Sequence, residues 1–115
     1  MNLDNIVLFA GNASKTVGKK VAQKMMQPLG WIQCEKFSDG EISIEILENI
    51  RGKDVFLIQS TCPPGNEHLM ELLLMTDACR RASAKSVSAV VPYFGYSRQD
   101  RRPRNARGPI SAMLV

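Results

Sequence analysis

Apolar positions along the chain come in short blocks whose spacing changes from one block to the next. Ile6-Val7-Leu8-Phe9 is apolar on both faces and is closed by Gly11-Asn12, the pattern of a buried strand and turn. Val17, Val21, Ala22, Met25, Met26 and Leu29 then recur at helical spacing, with Lys15, Lys19, Lys20 and Lys24 opposite. Ser14 is the expected N-cap and Gly30 the expected stop. Phe37-Ser38-Asp39-Gly40 reads as a turn into Glu41-Ile42-Ser43-Ile44-Glu45-Ile46, whose strict alternation predicts a hairpin strand with one wet face. A turn over residues 49–52 precedes Val55-Phe56-Leu57-Ile58, a strand buried on both sides. Asn66 is the expected cap of a long helix running through Arg81, and Val87 to Val91 forms a further buried strand. The methionines at helical spacing (Met25, Met26, Met70, Met75) read as core.

The order strand, helix, hairpin, strand, helix, strand predicts an α/β layer fold with a mostly parallel sheet. At 115 residues the chain is a single domain. Its last segment, from Pro109, starts a helix that is unfinished at Val115, so a C-terminally truncated domain is expected.

Composition narrows the function classes. Hydrophobic residues make up 44% and charged residues 23%, a soluble balance, and no run has the length of a membrane span. The start of the chain lacks signal-peptide order, so a cytoplasmic location is the default. Cys34, Cys62, Cys79 and the single His68 lie too far apart for a zinc motif or a disulfide framework. His68 is expected to cap or pack. The net charge of +4 equals that of one loop, where Arg98, Arg101, Arg102, Arg104 and Arg107 face Asp100 alone. One basic loop on a neutral domain argues against a nucleic-acid-coating protein.

Three stretches carry candidate chemistry. Phe37-Ser38-Asp39-Gly40-Glu41 offers an aromatic face and two carboxylates, although such turns are commonly only solvated. Tyr93 to Arg102 follows a buried strand, where ligands of open α/β sheets gather. Its arginines suit phosphate through the guanidinium fork; a solvated loop and a nucleic-acid contact are the alternatives. Gln59-Ser60-Thr61-Cys62-Pro63 ends another strand and fits either a site wall or a structural loop. Neither a Gly-x-x-x-x-Gly-Lys loop nor a Gly-x-Gly-x-x-Gly fingerprint occurs.

These stretches, with Phe9-Ala10-Gly11-Asn12, Glu48-Asn49-Ile50-Arg51-Gly52, Asn66 to Leu72, Asp77 to Ala84 and Pro92 to Arg101, are similar in order to the N-terminal domain of ribose-phosphate pyrophosphokinases. The resemblance implies a three-layer phosphoribosyltransferase-like α/β fold with a protruding β-hairpin. It implies transfer of diphosphate from Mg²⁺-bound ATP to ribose 5-phosphate, giving phosphoribosyl diphosphate and AMP. Phe37 would pack on adenine, Asp39 and Glu41 would bind its polar edge, and Arg98 and Gln99 would belong to the ATP stretch. Arg101, Arg102 and Arg104 would form the catalytic loop that closes over the phosphates. Arg51 matches a regulatory phosphate/ADP position, and family assemblies are hexamers in which the Phe37 hairpin reaches a neighbour's ATP site. The family's metal-binding histidine and its ribose 5-phosphate loop match nothing up to Val115, which implies that these residues alone are inactive. A non-catalytic regulatory homologue is the alternative; the unbroken run Asp100-Arg101-Arg102-Pro103-Arg104 favours the enzyme.

Overall fold

The structure is a computed structural model that describes residues 3–93; the basic loop with Arg98, Gln99, Arg101, Arg102 and Arg104 lies outside them. Among the described residues five strands, β1 (Ile6–Ala10), β2 (Ile32–Lys36), β3 (Ile42–Ile46), β4 (Asp54–Ile58) and β5 (Ser86–Val90), accompany two α-helices, α1 (Lys15–Lys24) and α2 (Gly65–Arg81). β1, β4 and β5 form a parallel sheet in the order β1-β4-β5, in which Leu8 pairs with Phe56 and Phe56 with Ser88. β2 and β3 form a separate antiparallel hairpin.

Because strand side chains alternate, each apolar strand has two faces to cover. Ile6, Leu8 and Phe56 meet Val21, Ala22, Met25 and Leu29 on one side. Val7, Phe9, Val55 and Leu57 meet Leu72, Met75 and Cys79 of α2 on the other. The sheet is thus the middle of three layers. On the α2 side the hairpin extends the core: Ile32 pairs with Ile46 and Cys34 with Ile44, and all four pack inward. Gln33, Glu35 and Glu45, on the opposite pleat, are exposed.

Several boundaries depart from the pattern reading. α1 stops at Lys24, well before Gly30. Gln27 N–H donates to Ala22 O (2.9 Å) and Met26 N–H to Gln23 O (3.1 Å), while Met26 takes φ 54°. This is a Schellman ending, and Pro28 discourages helix in the residue before it. Gly30 serves a different purpose. Its N–H donates to Leu8 O at 2.6 Å, and a Cβ there would stand 2.5 Å from the Phe9 ring. α2 begins at Gly65 with Pro64 in the cap position, so Asn66 lies inside the helix rather than capping it. Met75 is fully buried, but Met26 and Met70 are exposed. β5 is an edge strand, and Ser86, Ser88, Ala89 and Val90 are exposed rather than buried.

Candidate functional site

The carboxyl ends of β1, β4 and β5 meet the first turns of α2, and their backbone groups are closed partly by further main-chain bonds and partly by side chains. Gly11 N–H donates to Ile58 O (2.9 Å) and Thr61 N–H to Tyr93 O (2.8 Å). Ser14 occupies the N-cap of α1 yet makes no capping bond; its Oγ accepts from Ser60 N–H (2.9 Å). Ser60 Oγ in turn accepts from Tyr93 N–H (3.2 Å). The Gln59-Ser60-Thr61 stretch is buried in this seam, as its structural-loop reading expects, and it sits where the strands end.

At the centre is Glu71 of α2, 5% exposed. Its Oε1 accepts from Asn12 N–H (2.7 Å) and Gln59 Nε2 (3.2 Å), and its Oε2 from Asn12 Nδ2 (3.1 Å). Asn12 Nδ2 also donates to Cys34 O in β2 (3.1 Å), and Gln59 Oε1 accepts from Ala13 N–H (3.1 Å). A carboxylate taken out of water must be repaid by donors, and here they come from two other elements. Gly11 leaves room for this: a Cβ would collide with the Gln59 carboxamide. Sequence reasoning missed Glu71 because its chain neighbours Met70 and Leu72 are apolar, while the polar Glu67 and His68 of its own helix face stand four and three residues earlier. The signal was there: an acid beside apolar neighbours, with Asn12 and Gln59 each within two residues of the end of a strand.

A cleft of about 310 Å³ opens beside this knot, lined by Asn12, Cys34, Lys36, Glu67, His68 and Glu71 among others. Lys36 Nζ meets Glu67 Oε1 at 2.7 Å across its mouth, both partly exposed. Burial first, and the neighbouring Glu71 carboxylate second, push the Cys34 thiol up to about 12. Burial alone pushes Cys79 up to about 11. Both stay protonated at neutral pH and are poor nucleophiles. His68 Nδ1 donates to Cys62 O (2.7 Å), with Cys62 Sγ 3.9 Å away. His68, expected to cap or pack, ties the first turn of α2 to the loop before it, with a cysteine beside it that the spacing did not suggest.

Phe37, Asp39 and Glu41 lie together on the turn that joins β2 to β3. Phe37 N–H donates to Glu41 O (2.7 Å), Gly40 N–H to Phe37 O (2.9 Å), and Glu41 N–H to Asp39 Oδ1 (3.0 Å). Gly40, at φ 92°, supplies the left-handed step that favours glycine. All three side chains are exposed, and Phe37 leaves 55% of its surface in solvent. Arg51 is not brought to them. It lies in the exposed turn before β4, at the opposite end of that strand from Gln59, with its N–H held by Asn49 Oδ1 (3.0 Å). Among the described residues no group of three or more His, Cys, Asp or Glu could hold a metal ion, and no helix is long and apolar enough to cross a membrane.

Comparison with known proteins fits this arrangement. The chain is 58% identical over 113 residues to the ribose-phosphate pyrophosphokinase of Shewanella oneidensis, covering 98% of this chain and 36% of that protein. It is 56% identical over 114 residues to that of Coxiella burnetii, covering 99% of this chain and 36% of the relative. The phosphoribosylpyrophosphate synthetase of Mycobacterium smegmatis superposes with a TM-score of 0.86 at 40% identity, over 96% of this chain and 37% of that one. The chain therefore spans little more than a third of the relatives it matches, and the α/β layer fold is theirs. Residues 6–115 match the model of the N-terminal domain of ribose phosphate pyrophosphokinase, and the chain belongs to that family.

Proposed function

We propose that this chain supplies the ATP-facing part of a ribose-phosphate diphosphokinase, which transfers diphosphate from ATP to ribose 5-phosphate and releases AMP. The observation that carries this reading is the hairpin tip. A large aromatic with 55% of its surface in solvent stands there beside two exposed carboxylates, and a purine has a face and an amino edge to match. In this reading Phe37 stacks on adenine while Asp39 and Glu41 accept hydrogen bonds from its edge. Arg98 and Gln99 contact the nucleotide's phosphate side, and Arg101, Arg102 and Arg104 neutralise charge as the sugar hydroxyl displaces AMP. Mg²⁺ enters with the substrate, carried on the triphosphate. We further propose that the protein works in the cytoplasm as a homohexamer, each hairpin serving a neighbour, and that Arg51 takes part in regulation by phosphate or ADP.

A domain exchange tests this. Residues 1–115 replace the matching third of the Shewanella oneidensis relative, and AMP release from ATP and ribose 5-phosphate is followed. The hybrid is expected to turn over, whereas the 115-residue chain assayed alone is expected to release no AMP. Phe37→Ala in the hybrid should raise the KM for ATP roughly tenfold or more, the worth of one base–aromatic stack. A silent hybrid beside an active parent enzyme would sink the enzyme reading and favour a regulatory homologue.

A further inference from the structure

Among the described residues the hairpin bearing Phe37 is not hydrogen-bonded into the main sheet; its apolar face packs on the core, and polar ties rather than a sheet ladder hold the end that bears the tip. Two ties run from α2 to the last part of β2, immediately before Phe37. The outer is the partly exposed Lys36–Glu67 pair, of a kind that contributes little. The inner runs through Asn12. Its Nδ2 donates both to Cys34 O and to Glu71 Oε2, each at 3.1 Å, while its N–H is held by Glu71 Oε1 at 2.7 Å. Glu71 is itself fixed by burial and by Gln59. Glu67 and Glu71 are one helical turn apart, so both ties leave the same face of α2. Bonds to a buried carboxylate are the stronger class, and linked ones reinforce each other.

We infer that Asn12 and Glu71 are positioning residues for the ligand contact at the hairpin tip. They pass the orientation of the rigid strand ends and α2 to Phe37 without touching the nucleotide. That the ligand is ATP rests on the function proposed above. Asn12 is the sharper probe because it is exposed and not part of the packed core, so its loss need not unfold the domain.

The experiment uses the active hybrid and its Asn12→Ala variant, with two readouts. Amide hydrogen exchange without nucleotide should rise roughly tenfold across residues 34–42 and stay unchanged in β1 and β4, in line with loss of hydrogen bonds to a charged group. The KM for ATP should rise roughly tenfold while kcat and the KM for ribose 5-phosphate stay within about twofold, as when uniform binding is lost. Glu71→Gln keeps the side-chain shape and one acceptor oxygen, and should shift both readouts the same way by less. It decides the matter if Asn12→Ala fails to fold. Unchanged exchange in the hairpin overturns the inference, as does faster exchange throughout the sheet, or kcat and both KM values moving together. If the unmodified hybrid never releases AMP, the ATP reading fails, and hairpin exchange still decides whether Asn12 aims the tip.

Discussion

Cys34 faces a carboxylate, and that contact makes it more than a small core residue. Its thiol is desolvated beside the Glu71 carboxylate, and Cys79 is desolvated among Leu72 and Met75. In both, the folded state holds the proton more tightly than the unfolded chain. The folded protein therefore binds more protons between pH 9 and about 11 to 12, and stability falls as pH rises through that window. Below pH 9 this contribution is fully present. The urea midpoint is expected to drop between pH 8 and pH 10.5, and a Cys34→Ala, Cys79→Ala double variant to drop less over the same interval. An equal drop in both proteins would show that other groups govern the alkaline limb.

Helix ends and close crossings decide where the elements lie. Met26 sits in the left-handed region with 93% of its surface in solvent, so its side chain gives little back for the strained backbone. Met26→Gly should raise stability by about 1 kcal/mol, read as a rise of a few degrees in Tm. Gly30→Ala should do the reverse, because its methyl would press on the fully buried Phe9 ring, at about 1–3 kcal/mol. If both substitutions proved neutral, neither the Schellman ending of α1 nor the tight crossing over β1 would matter to the fold.

Glu71 belongs to the scale of the whole molecule, since one carboxylate joins the ends of β1 and β4 to α2 and, through Asn12, to the hairpin. Glu71→Ala strands the buried Gln59 amide and takes the partner from the more exposed Asn12 donors. It should cost about 3 kcal/mol in denaturant unfolding, well above the usual cost of a surface substitution. A loss below about 0.5 kcal/mol would mean that water reaches those donors.

Period and composition settled the element order, the double-sided burial of β1 and β4, and the hairpin turn with Phe37, Asp39 and Glu41. Those features follow from local rules: alternation for strands, 3.6-residue recurrence for helices, and glycine where φ turns positive. The C-terminal end of α1, the exposure of Met26 and Met70, and the open face of β5 were not legible, because each depends on what lies across from it. The same holds for the site. The turn that carries the candidate nucleotide contacts could be read in one stretch of chain. The Asn12–Gln59–Glu71 knot behind it joins residues up to 59 positions apart. Only folding brings them together, and only burial, by removing water as the alternative partner, makes their hydrogen bonds obligatory.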